Sequence, residues 1–168
     1  MLLRDDKSYP FIHLSSRHPF PRLSFYRGSR KIDGRLFGPY PSAGAVRETL
    51  GLLQKLFRIR SCEDSFFSHR SRPCLQYQIE RCSGPCVGLV SAEDYQENLD
   101  RAVRFLEGRS DDVIDELAEK MESAAEKLEY EEAARYRDQI GRLRQVRQHF
   151  ATAHRDRGDM DLIATSEQ

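Results

Sequence analysis

The sequence predicts an α+β chain in three parts: a few short strands, a cysteine-rich segment and an antiparallel helical hairpin. Three observations carry that reading. The front of the chain alternates short bulky runs with Pro- and Gly-rich turns. All four cysteines fall between Cys62 and Cys86. From Ser91 to Phe150 apolar residues recur at helical spacing.

The run Tyr9-Pro10-Phe11-Ile12-His13-Leu14 suits a strand, with Pro10 at its start or on an edge. Arg22-Leu23-Ser24-Phe25-Tyr26-Arg27 is a second short candidate, and a Gly-, Ser-, Lys- and Arg-rich loop follows from Gly28 to Arg35. Two or three such strands do not make an independent fold, so this segment reads as the tail of a larger α/β or α+β domain. Met1-Leu2-Leu3 reads as the end of another strand. The adjacent carboxylates Asp5 and Asp6 have no third ligand beside them and read as a surface turn.

Phe37-Gly38-Pro39-Tyr40-Pro41 is a stiff turn that no helix crosses. Ser42 then caps a helix predicted over Ala43 to Phe57, with Val46, Leu50, Leu53 and Phe57 as its apolar stripe and Arg47 and Lys55 off it. This helix reads as a packing element.

The cysteine segment comes next. Its gaps are eleven, seven and three residues, and no cysteine lies outside it. Four thiolates brought to one point hold a tetrahedral zinc or an iron–sulfur cubane. Two disulfides and four buried thiols are the competing uses. The last pair, Cys82 and Cys86, encloses Gly84 and Pro85, residues suited to turning both sulfurs inward. Arg70, Arg72, Tyr77 and Arg81 in the same segment are candidates for phosphate contact, or for screening a negatively charged centre.

Ser91, with Asp94 three residues on, opens a helix whose face is Tyr95, Leu99, Val103 and Leu106 and which Gly108 ends. Asp111 and Asp112 open the next, with a stripe of Val113, Leu117, Met121, Ala124 and Leu128. A break near Glu129-Tyr130 leads into a last helix from about Glu131 to Phe150. Ala133, Ala134, Arg137, Ile140, Leu143 and Val146 lie on or near one face of it. Two such helices with a tight link make a hairpin, which buries little area alone and gains from a partner helix pair. Ala151 to Gly158 reads as a linker, and Asp159 to Ala164 as the opening of another strand.

Charge divides along the chain although the net is zero. Residues 1–60 carry 12 Lys and Arg against 4 Asp and Glu, whereas residues 91–168 carry 12 against 20. The basic front suggests a polyanion such as nucleic acid, and the acidic helical back a protein partner. With 32% charged residues and a mean hydropathy of −0.69, one large apolar core is not expected. No apolar run approaches a membrane-spanning length, and the first residues lack the apolar region of a signal peptide, so a cytoplasmic protein with no membrane partner is expected.

Four stretches carry a family resemblance: LLRDDKSYPFI at 2–12, FGPYPSAGAVRETLGLLQKLFRIRSCEDSFF at 37–67, RSRPCLQYQIERCSGPCVG at 70–88 and LEYEEAARYRDQI at 128–140. They resemble the UvrC family, incision subunits of the bacterial UvrABC excision nuclease, over nearly the whole chain. The resemblance implies nucleotide excision repair. It implies that 1–60 is the C-terminal part of a GIY-YIG nuclease domain, 61–90 a cluster-binding segment and 91–110 a connecting helix. Residues 111–148 would be a UVR hairpin, and 149–168 a linker and the start of an RNase H-like domain. The family's GIY-YIG residues lie before the LLRDDKSYP run and its second nuclease centre lies further on, so no catalytic residue is assigned and no incision by the chain alone is expected.

The resemblance also implies a [4Fe–4S] cluster on Cys62, Cys74, Cys82 and Cys86, with structural zinc as the alternative. It implies docking on UvrB through Leu128, Tyr130, Glu131, Ala133, Ala134, Arg137 and Ile140, contact with damaged duplex DNA, and an indirect link to UvrA. Arg70, Arg72 and Arg81 are the candidates for the DNA contact. Where the family has Phe this chain has Tyr130, whose hydroxyl needs a polar neighbour. A metal-binding regulatory adaptor of UVR type is the alternative function. Those adaptors carry repeated C-x-x-C pairs, which this chain lacks.

Overall fold

The computed structural model describes residues 9–156, with residues 148–156 described by their backbone alone. The chain divides into two compact units between Gly108 and Arg109. The α+β expectation holds: the first unit is a small sheet with helices, the second a helical hairpin.

Three antiparallel strands form the sheet: β1 (Phe11–Leu14), β2 (Leu23–Tyr26) and β3 (Arg35–Phe37), in the order β2-β1-β3. Ile12 sits opposite Phe25 on one side and Phe37 on the other. Pro10 stands just outside β1, where its missing N–H costs no ladder bond, and its carbonyl accepts from the Tyr40 N–H at 3.0 Å. The sequence predicts a loop over Gly28 to Arg35, and β3 begins at that loop's end. Three residues are too short for an alternation to be read, so pairing with β1 makes this strand rather than its own pattern.

Helix α1 (Ala43–Phe57) packs on β1 and β2. Ser42 caps it as expected, its hydroxyl accepting the Ala45 N–H at 3.1 Å. The buried face is Val46, Thr49, Leu53, Leu56 and Phe57, so the predicted stripe is shifted and Leu50 is only half-buried. Thr49 is tolerated inside because its hydroxyl donates to the Ala45 carbonyl at 2.9 Å. Two short helices in the cysteine segment, α2 (Asp64–Ser68) and α3 (Leu75–Gln78), precede α4 (Ala92–Leu106). The Ser91 hydroxyl accepts the Asp94 N–H at 3.0 Å, and Gly108, at φ 80°, ends the last turn. α4 buries Tyr95, Leu99, Arg101 and Ala102, while Val103 and Leu106 are half-buried. The core of this unit is thus Phe11, Ile12, Leu23 and Phe37 from the sheet, closed by the apolar faces of α1 and α4.

The second unit is α5 (Ser110–Glu126) and α6 (Tyr130–Asp156), an antiparallel pair. Val113, Ile114, Leu117 and Ala124 of α5 and Ile140, Leu143 and Val146 of α6 are buried. The Leu128 N–H donates to the Ala125 carbonyl and the Glu129 N–H to the Ala124 carbonyl, at 3.0 and 2.9 Å, a Schellman cap. Two predicted features change. Leu128 leaves the α5 stripe and sits exposed in the turn at φ 63°. Ala151 to Asp156, predicted as linker, continue α6. The predicted strands at Met1 to Leu3 and Asp159 to Ala164, and the Asp5–Asp6 turn, lie outside the described residues.

Candidate metal centre and partner surface

α1 ends on Arg58 in a left-handed conformation, with its N–H on the Gln54 carbonyl at 2.9 Å. The chain then turns inward, burying Ile59 and Arg60. Cys62 follows before α2, and Cys74 stands at the N-terminal boundary of α3. Cys82 and Cys86 flank a tight turn that includes a 3-10 segment, Pro85–Val87. This turn is tied back to the end of α1, because both the N–H and the hydroxyl of Ser83 donate to the Arg58 carbonyl, at 3.1 and 3.2 Å. So two ligand candidates leave α1 and two return to it.

Gly84 makes the turn possible. Its φ is 73°, and a Cβ there would lie 3.0 Å from Leu89 and 3.1 Å from Tyr77. Its N–H faces the Cys82 sulfur and favours the thiolate. Burial nonetheless pushes the Cys82 thiol up, and the charges of Cys74, Cys62 and Cys86 push it further. Cys86 is raised by burial first, then by Cys62 and Cys74, with Arg70 acting the other way. All four sulfurs therefore share one electrostatic neighbourhood. All four are free thiols. Among the described residues, no group of three His, Cys, Asp or Glu side chains forms a metal-ion site. The donor set itself, four soft thiols with a backbone N–H on one sulfur and cations nearby, fits a thiolate-bound centre.

The arginines predicted for DNA contact all lie in this segment. Arg72 is exposed, while Arg70 and Arg81 are half-buried. The Arg70 guanidinium stacks over the Phe66 ring at 3.9 Å. One residue of the site escaped the sequence reading. Arg60 is 1% exposed and donates from Nη1 to the Cys62 carbonyl at 2.7 Å. Its signal was a charge inside the apolar run Leu56-Phe57-Arg58-Ile59-Arg60, four residues before Asp64.

At the hairpin turn, Leu128 is 68% and Tyr130 67% exposed, with Glu131 exposed beside them. Ala133 and Ala134 are half-buried, and Arg137 faces solvent with Asp138 at 3.5 Å. Ile140 differs from the other six, because it is buried inside the hairpin and supports that surface from within.

An α+β domain with a four-thiol loop, followed by a two-helix motif with an apolar tip, defines the class of protein. Residues 9–105 match the family model of the UvrC/Cho excinuclease middle domain, and residues 111–146 match the UvrB/uvrC motif. The chain belongs to the UvrC family. The middle-domain match runs unbroken through strands, cysteine loop and α4, a stretch the sequence reading divided at residues 60 and 90. Relatives named UvrABC system protein C include those of Alkalilimnicola ehrlichii, 62% identical over 98% of this chain, Methylococcus capsulatus, 60% over 96%, and Pseudomonas aeruginosa, 58% over 98%. The chain spans only 26–27% of the length of these relatives. No solved structure matches it. No helix among the described residues is long and apolar enough to cross a membrane.

Proposed function

We propose that the chain serves nucleotide excision repair as the cysteine-bearing and UvrB-docking portion of a UvrC-type incision subunit. In this reading the α5–α6 hairpin docks on UvrB, the basic first unit lies toward damaged duplex DNA, and UvrA is reached only through UvrB. One observation carries it: an exposed Leu128–Tyr130 pair at a hairpin turn inside the UVR match. Apolar side chains held out on a rigid turn are the anchors a second hairpin would bury. The regulatory-adaptor alternative is not favoured, since the middle-domain match claims the strands and cysteines together. Calorimetric titration with UvrB tests the reading. The wild-type chain binds, and Leu128→Ser and Tyr130→Ser each lose about 10-fold or more in affinity with unchanged helix signal. Unchanged affinity in both variants would sink it.

For the cysteines the reading is a [4Fe–4S] cluster on Cys62, Cys74, Cys82 and Cys86, supported by the resemblance and by the shared neighbourhood of the four thiols. With every ligand supplied by protein and none left for substrate, its role is structural or redox-sensing. Anaerobic expression followed by iron, sulfide and zinc analysis decides the matter. About four irons per chain with a thiolate-to-iron absorbance band supports the cluster. One zinc without colour replaces it by the structural-zinc alternative, and neither metal in a folded chain overturns both.

A further inference from the structure

Arg60 has the most deeply buried charged side chain among the described residues. A guanidinium leaves water only where its donors are matched. Here Nε donates to the Phe20 carbonyl at 2.6 Å, Nη1 to the Cys62 carbonyl at 2.7 Å and Nη2 to the Asp64 carboxylate at 2.6 Å. The cation lies over the Phe67 ring at 4.6 Å, and Nη1 stands 3.8 Å from the Cys62 sulfur. One side chain thus joins the loop before β2, the first cysteine and α2.

Carbonyl acceptors alone do not call for a charge, since a neutral donor satisfies them. Asp64 does not account for it either. Its side chain is 59% exposed and is well solvated without help, and burying an arginine only to meet a solvated carboxylate gains little. What remains is the Cys62 sulfur, 3.8 Å from Nη1, in the segment that holds all four cysteines. We propose that Arg60 is the positioning residue of the cysteine centre. It fixes the Cys62 backbone through its carbonyl, and it supplies a permanent cation beside a site that gathers negative charge. Arginine suits this where lysine does not, because only the planar fork reaches three separate acceptors in fixed directions.

The inference rests on the metal reading of the four cysteines, and the test separates the two. The metal-loaded chain is compared with Arg60→Lys, Arg60→Gln and Asp64→Asn for the rate of metal release to a chelator and, where iron is bound, for the reduction potential. Folding is followed by circular dichroism. Arg60→Lys keeps the charge but loses the fork, so release is about 10-fold faster or more. Arg60→Gln also loses the charge, so the potential falls. Asp64→Asn leaves the cation uncompensated, which slows release and raises the potential. If Arg60→Gln does not fold, the other two variants carry the comparison. Faster release from Arg60→Lys with Asp64→Asn unmoved supports the anchoring of Cys62 and overturns the charge role. Wild-type release from both variants overturns the whole inference while the metal reading stands. A wild-type chain that binds no metal overturns the metal reading and this inference with it.

Discussion

Tyr95 joins three parts of the first unit through one hydroxyl. It donates to the Pro21 carbonyl at 2.5 Å and accepts the Arg60 backbone N–H at 3.3 Å, while its ring meets Phe20 edge-on at 5.3 Å. Burial raises its pKa well above the ordinary 10.0, and burial raises Tyr40 in the same direction against an opposing bond from Thr49. The folded chain therefore holds these phenolic protons after the unfolded chain has released them. Their contribution to stability is full below about pH 10 and falls as pH rises beyond it. In an alkaline titration the phenolate signal of Tyr95 and Tyr40 should appear last, together with loss of helix signal. Tyr95→Phe should lose about 1–3 kcal/mol at neutral pH in urea unfolding, because the buried Arg60 N–H and the half-buried Pro21 carbonyl are stranded, and should show a shallower alkaline decline. Uniform titration of every tyrosine in a still-helical chain would contradict this. Gly84→Ala should lose metal more readily than wild type in the chelator assay, since a Cβ there meets Leu89 and Tyr77 at a φ that disfavours it. That all four cysteines fall in one segment was legible in the sequence. The Tyr95 hydroxyl was not, because the acceptor that explains it lies 74 residues away, where no local pattern reaches.

At the scale of the element, the ends of α1 and α4 were readable where a side chain closes them locally: Ser42, Ser91 and Gly108 all act as predicted. Faces were less readable. α1 takes in Thr49 and leaves Leu50 half out, because a threonine that satisfies its own hydroxyl counts as apolar to the core. The turn between α5 and α6 breaks a local rule. Its Schellman cap puts Leu128 at φ 63°, a position that favours glycine, and leaves that leucine 68% exposed. A leucine there costs about 1 kcal/mol in backbone strain and buries almost nothing within the chain. The expense makes sense if a partner covers the side chain. Leu128→Gly should therefore raise the melting temperature of the hairpin slightly while weakening UvrB binding, opposite signs from one substitution. A variant that gains stability and binds UvrB as tightly as wild type would deny Leu128 its place in the interface.

Over the whole molecule, the division seen in the structure agrees with the two family matches, which end at residue 105 and resume at 111 on either side of the Gly108–Arg109 boundary. The sequence already marked that boundary through Gly108 and the acidic pair after it. It also separated the charges, with a basic front and an acidic back whose sum is zero. A net charge of zero suggests no polyanion partner, yet binding depends on the field at the docking surface rather than on the sum. Duplex binding by the first unit should accordingly be strongly salt-dependent, because each phosphate contact releases condensed counterions. Arg72, exposed in the cysteine segment, is the cleanest probe, since its removal empties no core position. Arg72→Ala should lower duplex affinity at low salt and flatten the log–log salt slope by about 1, with metal content unchanged. Tyr130→Ser should leave that slope alone while losing UvrB. If Arg72→Ala keeps the wild-type slope, Arg72 faces no phosphate. If Tyr130→Ser flattens it instead, the hairpin tip, not the basic unit, is what DNA meets, and the assignment of the two partners must be reversed.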